Sequence, residues 1–308
     1  MNLPRFFAPT AAVAASCLLA ASALAVPEGW TDDFESAKAT AAAEGKDLLM
    51  DFTGSDWCPP CKALKSEVFE TEAFKSTIPD GFVLVELDFP NNVPQTPEVV
   101  AQNQRLQAEY GIRGYPTVVL ADAEGRPYGF TGYRPGGPEP YLAHIAELKQ
   151  AKSARDAAFA AADSQEGVAR AKALDEALEA VGLDLAVAHY GPTVEEIIAL
   201  DADDAAGLKS KYRSAYQDQK LEAEMQAVLQ TLGRGDFGEG LAEIDRIIET
   251  YDPAPEQLQL MTAIKGQVHM QLAETDKAIA LLEEAIEIAP DSEVTPQLRD
   301  LLKQLNPG

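Results

Sequence analysis

Cys58 and Cys61 flank two prolines at the point where a short apolar run gives way to a helical pattern, and this placement constrains the chain more than any other feature. Leu48-Leu49-Met50-Asp51-Phe52 reads as a buried strand, because the run is brief and ends in the turn residues Thr53-Gly54-Ser55. After Trp57-Cys58-Pro59-Pro60-Cys61-Lys62, the residues Ala63, Leu64, Val68, Phe69 and Phe74 carry helical spacing onward. A disulfide between the two cysteines closes a very short loop and removes little chain entropy. Reactivity therefore explains the pair better than stability does.

The start of the chain sets the redox compartment. Arg5 precedes an uncharged, apolar stretch over residues 6–25 that ends in Ala23-Leu24-Ala25 before Val26-Pro27, the pattern of a secretory signal peptide cleaved after Ala25. Two other readings compete with it. An uncleaved anchor is disfavoured because alanine is only weakly lipophilic. A lipoprotein acylated at Cys17 is disfavoured because Ala14-Ala15-Ser16 lacks the usual leucine. Cleavage removes Cys17 and leaves two cysteines in an oxidising compartment, periplasmic or secreted, with the membrane met only through the transient leader.

The flanking pattern alternates helix and strand. A helix over residues 32–44 stops at Gly45, Phe82–Asp88 is a second strand, and a loop over residues 90–97 leads to a helix over residues 98–110. Residues 118–120 and 128–130 flank turn chemistry at residues 122–125 and predict a hairpin. A last helix starts near Pro138 and is expected to run past Gln150. The order is α-β-α-β-α-β-β-α.

Residues 30–150 resemble a thioredoxin-fold domain on three motifs in order: Asp51-Phe52, Trp57-Cys58-Pro59-Pro60-Cys61-Lys62, and Gly111-Ile112-Arg113-Gly114-Tyr115-Pro116-Thr117. The resemblance implies an α/β thioredoxin fold, a central mixed sheet flanked by helices, and dithiol–disulfide exchange with protein substrates and a redox partner protein. Cys58, at a helix N-terminus, is the expected attacking sulfur, since the helix dipole and unpaired N–H groups favour its thiolate. Cys61, one turn further in and expected to be more buried, is the resolving thiol. The resemblance further implies that Pro116 is cis and receives substrate backbone with Trp57 and Tyr115, and that Asp51 moves a proton to or from Cys61. One extra residue separates Asp51 from Cys58 relative to thioredoxin, which leaves open whether its side chain points elsewhere. Pro59-Pro60 replaces the family's glycine and proline, and the segment over residues 89–104 is longer than in a minimal thioredoxin, either as a substrate-selecting rim or as a tolerated insertion.

No further cofactor is expected beyond the redox-active Cys58–Cys61 disulfide. A zinc site needs two more ligands, and the 3 histidines, His144, His189 and His269, are scattered over helical segments. The chain's 50 acidic and 25 basic residues give a net charge of −25, which repels phosphate backbones and disfavours nucleic-acid binding.

Beyond Gln150 the chain reads as helices only, broken at Gly182, Gly191-Pro192, residues 233–235, Asp252-Pro253 and Pro290-Asp291. Gly266, His269, Ala278, Leu282, Ala285 and Pro290 fall at spacings similar to those of tetratricopeptide repeats, and Leu241, Ile248 and Pro253 echo them weakly. Thr262 and Lys265 depart from that pattern. The expected organisation is a signal peptide at residues 1–25, a thioredoxin-like domain at residues 26–150, and an all-α tetratricopeptide-like domain at residues 151–308. The helical domain either docks a peptide or protein or is a solvated appendage. The rival to an enzyme is a non-enzymatic partner-binding scaffold with a vestigial or sensing disulfide, and a third reading is soft-metal delivery through paired thiolates.

Overall fold

The computed structural model describes residues 26–305, so the expected leader and Cys17 lie outside the described residues. A two-residue strand that the sequence pattern does not signal, β1 (Trp30–Thr31), precedes the first helix. Helix α1 (Phe34–Glu44) starts two residues later than expected, because the Asp33 carboxylate accepts the Ser36 N–H at 3.0 Å and caps it. Strand β2 (Asp47–Thr53) is buried at every position, as an apolar run of strand length requires when both faces are covered.

The segment after β2 is helical in three pieces: α2 (Pro59–Leu64), a π-helical turn at Lys65–Phe69, and α3 (Glu72–Thr77). It leads to β3 (Phe82–Asp88), then α4 (Pro97–Glu109), the hairpin strands β4 (Thr117–Ala121) and β5 (Pro127–Thr131), and α5 (Pro138–Ala162), which continues past Gln150. The sheet order is β1-β3-β2-β4-β5, with β1, β2 and β3 parallel and β4 and β5 antiparallel. Alternation along β2 sends Leu48, Met50 and Phe52 to one face, where they join Phe34, Ala37 and Ala41 of α1 and Leu106 of α4. Each such buried side chain stabilises the fold by about 2 kcal/mol. The same alternation sends Leu49, Asp51 and Thr53 to the opposite face.

The chain divides into two compact units between Gln150 and Ala151, and the second unit is helical throughout. Its helices are α6 (Gly167–Glu179), α7 (Leu183–His189), α8 (Gly191–Leu200), α9 (Leu208–Gly233), α10 (Phe237–Tyr251), α11 (Pro255–Gln271), α12 (Thr275–Ile288) and α13 (Thr295–Leu305). The break between α8 and α9 has no counterpart in the sequence pattern. Alanine-rich residues 202–206 favour helix, but buried Asp201 accepts the Ala206 and Leu208 N–H groups at 3.0 and 2.9 Å and holds a loop instead. The cores form in succession: α6 to α9 around Leu174 and Tyr212, α9 to α11 around Val228 and Ile244, and α11 to α13 around Leu282.

Helices α11 and α12 are antiparallel. Gln259 near the start of α11 donates to the carbonyls of Ala285 and Ala289 at the end of α12, while Gly266 faces Ala278 and Leu282. A Cβ on Gly266 would lie 3.1 Å from Leu282 Cγ, so glycine permits this close approach. Gln259 also donates to Thr295 Oγ1 at 2.8 Å and accepts from the Ser292 hydroxyl, which ties α13 to the pair. Replacing it removes a buried donor to the Ala285 carbonyl, while Ala289 keeps the Thr295 hydroxyl. Gln259→Ala is expected to destabilise α11 to α13 by about 2 kcal/mol, read as faster amide hydrogen exchange in those helices with the exchange of β2 unchanged.

Candidate active site

Cys58 occupies the N-cap of α2 with extended backbone, φ −90° and ψ 106°, and its Sγ accepts the Cys61 N–H at 3.3 Å. Pro59 and Pro60 suit the helix entry, because proline brings a preset φ and lacks an N–H that would have no partner there. Cys58 and Cys61 are joined by a disulfide, with S–S 2.04 Å and Cα–Cα 5.3 Å. One expectation is corrected. Cys61 is no more buried than Cys58, since the two are 4% and 2% exposed.

Beside the cysteines stands an aromatic wall. The Trp57 and Tyr115 rings meet edge to face at 5.7 Å, and Phe89 packs on Tyr115 at 5.1 Å. The Trp57 indole donates to the Phe89 carbonyl at 2.7 Å, and the ring lies so close over Gly54 that a Cβ there would come within 2.5 Å of it. Tyr115 accepts the Gln107 side-chain N–H at 2.6 Å, and its peptide bond to Pro116 is cis. Asp56 accepts the Asn91 and Asn92 backbone N–H groups at 2.9 and 2.7 Å. The long loop after β3 is therefore fastened to the cysteine loop. Asp56, Phe89 and Asn91 do not stand out in the sequence, because their pairing spans more than thirty residues and leaves no local signal.

Behind the cysteines a cavity of about 830 Å³ is lined by Cys61, Asp51, Lys65 and Glu86, with Trp30 and Phe69 among its apolar walls. Asp51 and Cys61 thus border one cavity despite the extra residue in the intervening loop, because strand alternation puts Asp51 on the face opposite Met50 and Phe52. Its side chain is 6% exposed and its Oδ1 has no hydrogen-bond partner; the Tyr141 hydroxyl of α5 is likewise buried without one. Burial holds the Asp51 carboxyl well above the usual range, the charges of Glu86 and Asp88 push it further the same way, and Lys65 opposes them. Glu86, half-buried, is also raised, first by burial. Lys65 and Glu86 are absent from the sequence reading; a carboxylate inside the apolar run Phe82–Asp88 was the available sign.

A folded chain that keeps the Asp51 proton while the unfolded chain releases it loses stability as pH rises from near 3.8 through the raised folded-state value. Asp51→Asn is expected to reduce that decline. The chain's 2 tryptophans, Trp30 and Trp57, both lie in the first unit, so urea midpoints followed by tryptophan emission across this pH range report on it. An unchanged slope in the variant would contradict the assignment.

Among the described residues no helix is long and apolar enough to cross a membrane. The family model for a thioredoxin-like domain matches residues 34–146. The disulfide bond reductase DsbH of Chlamydia pneumoniae is 35% identical over 100 residues, covering 32% of this chain and 60% of that protein. The thioredoxin-related protein DsbJ of the same organism is 31% identical over 97 residues, covering 32% of this chain and 28% of that protein. A solved DsbH oxidoreductase is 31% identical, with a TM-score of 0.37, and the match covers 38% of this chain and 81% of that one. The chain thus spans less than two thirds of the length of these curated relatives. With strands β2 to β5 of a mixed sheet, a cysteine pair at the entry to the helix after β2 and a family model that spans both, residues 34–146 form a thioredoxin-like domain.

Proposed function

We propose that the protein is an exported thiol-disulfide oxidoreductase that exchanges disulfides with protein substrates through Cys58 and Cys61. The observation that carries this reading is the Cys58–Cys61 disulfide at the first turn of α2, with its inner sulfur bordering the same cavity as a buried, protonatable Asp51. Similarity to proteins named disulfide bond reductase and thiol:disulfide interchange protein points the same way.

In the reducing direction the Cys58 thiolate attacks a substrate disulfide, forms a bond to one substrate sulfur and releases the other as a thiolate that takes a proton from water. Cys61 then gives its proton to Asp51 and attacks Cys58 Sγ. The substrate's second sulfur leaves as a thiolate that also takes a proton from water, and the Cys58–Cys61 bond reforms with two electrons transferred. The oxidising direction reverses each step, and the potential of the partner couple selects between them. Trp57, Tyr115 and Pro116 are read as the surface that receives the substrate chain. No cofactor beyond the disulfide enters the scheme.

Export rests on the leader at residues 1–25 and places the work in a periplasmic or extracellular space. The helical half, read as tetratricopeptide-like, serves as a docking module for a peptide or protein partner, and a separate thiol-disulfide protein resets the active site.

Insulin reduction with a chemical reductant tests the exchange. Cys58→Ser is expected to fall to the uncatalysed rate, and Cys61→Ser to accumulate a mixed disulfide visible on non-reducing gels. Asp51→Asn is expected to slow turnover about 100-fold near neutral pH. Turnover that survives Cys58→Ser would favour a binding module with an inert disulfide.

A further inference from the structure

We propose that Glu86 is a positioning residue for Asp51: the two carboxyls share a proton across the β2–β3 pair and pass it between Cys61 and the water of the cavity, with Lys65 balancing the charge left behind. This deepens the exchange reading above and rests on Asp51 trading a proton with Cys61.

Register and direction bring the groups together. Asp51 is paired with Glu86 in the parallel β2–β3 ladder, between the pairs Leu49 with Leu84 and Thr53 with Asp88. Paired residues of neighbouring strands project from the same face, and Asp51, Glu86, Cys61 and Lys65 all line one cavity. Asp88, the next carboxylate on that face, is committed elsewhere: its two oxygens accept the Ser55 N–H at 2.9 Å and the Ser55 hydroxyl at 2.6 Å. Asp51 Oδ1 has no such partner.

A buried carboxyl that must load and unload a proton needs an outlet, and Glu86 is the half-buried group beside it. Lys65 opens the π-helical turn that directly follows α2. A π turn re-aims the side chains after it relative to a regular helix, and here it follows the turn that holds Cys61. Asp88 and Asp32 disfavour a second negative charge on the pair, Tyr141 of α5 lies close enough to feel the Asp51 charge, and Glu28, Lys62, Glu70 and Lys75 also line the cavity.

The step balances. When a substrate thiolate attacks Cys58 Sγ, a new sulfur–sulfur bond forms there, the Cys58–Cys61 bond breaks, and its electron pair stays on Cys61. The Asp51 proton moves to that sulfur, and Glu86 takes a proton from cavity water and passes it to Asp51, so that the pair again holds one proton. Resolution runs the same path backward.

The test follows the Asp51 side-chain carboxyl by carbon-13 NMR in the full-length oxidised protein, beside the pH profile of disulfide reduction by dithiothreitol read through tryptophan emission. Glu86→Gln removes a like charge and is expected to lower the Asp51 midpoint by about one pH unit; Lys65→Met removes an opposite charge and is expected to raise it by about as much. The reduction profile should shift with the midpoint in each variant, and Glu86→Asp should restore the wild-type profile. An unmoved midpoint in Glu86→Gln, or shifts of the same sign in both variants as altered packing would give, overturns the proposal. If the wild type shows Cys58-dependent turnover while the midpoint stays fixed, the exchange reading stands and only the carboxyl pair falls. If turnover does not depend on Cys58, the relay falls with the exchange reading, whatever the midpoints do.

Discussion

The parallel pairing of β2 with β3 is the constraint on which the site depends. It fixes, residue by residue, which side chains of the fully buried β2 share a face with Leu84, Glu86 and Asp88 of β3. A slip of one residue in β2 would turn Asp51 toward Phe34 and Leu106 and place Met50 or Phe52 behind Cys61. The apolar set Leu48, Met50 and Phe52 prevents this, because its burial with α1 and α4 is lost in any other register. Ordinary core packing therefore holds an ionisable group where water is scarce. The raised carboxyl is a consequence of the sheet, not an addition to it.

On the other side of the cysteines the organisation is polar and aromatic. Asp56 gathers two backbone N–H groups of the loop after β3, Asp88 gathers Ser55, and Trp57 reaches the Phe89 carbonyl. These bonds connect stretches that pattern alone treats as an active-site loop and a surface insertion. Once joined, Trp57, Phe89 and Tyr115 form a single wall beside a disulfide whose sulfurs are themselves covered. In the exchange reading, a substrate meets the wall before it meets the sulfur.

The helical half follows another logic. Its cores form in sequence from α6 to α13, each helix burying an apolar stripe on its neighbours, so stability accumulates locally. Gln259 is the exception. Its single side chain ties α11, α12 and α13 through backbone carbonyls and hydroxyls, closing the end of the array with polar contacts that only a buried, fully partnered amide can make.

Much of this was legible in the sequence because it depends on local chemistry. The run from Leu48 to Phe52 is apolar and short, so it is a buried strand; two prolines follow Cys58, so the cysteine caps a helix; turn residues separate β4 from β5. The breaks at Gly182, Gly235 and Pro253 are written in residues that readily leave a helix, the two glycines by a positive φ. What lay out of reach was contact between distant residues. Glu86 reads only as one residue of a strand until β3 pairs with β2, the loop after β3 reads as a substrate-selecting rim or an insertion until Asp56 binds it, and Cys61 reads as deeper than Cys58 until both prove buried in the disulfide. The sequence by itself determined the elements, the cysteine pair and its place at a helix entry, since backbone preference and hydrophobic period act over a few residues. Only the tertiary structure decided which carboxyls share a cavity with Cys61, because strand register is set by side chains more than thirty residues apart that must be buried together.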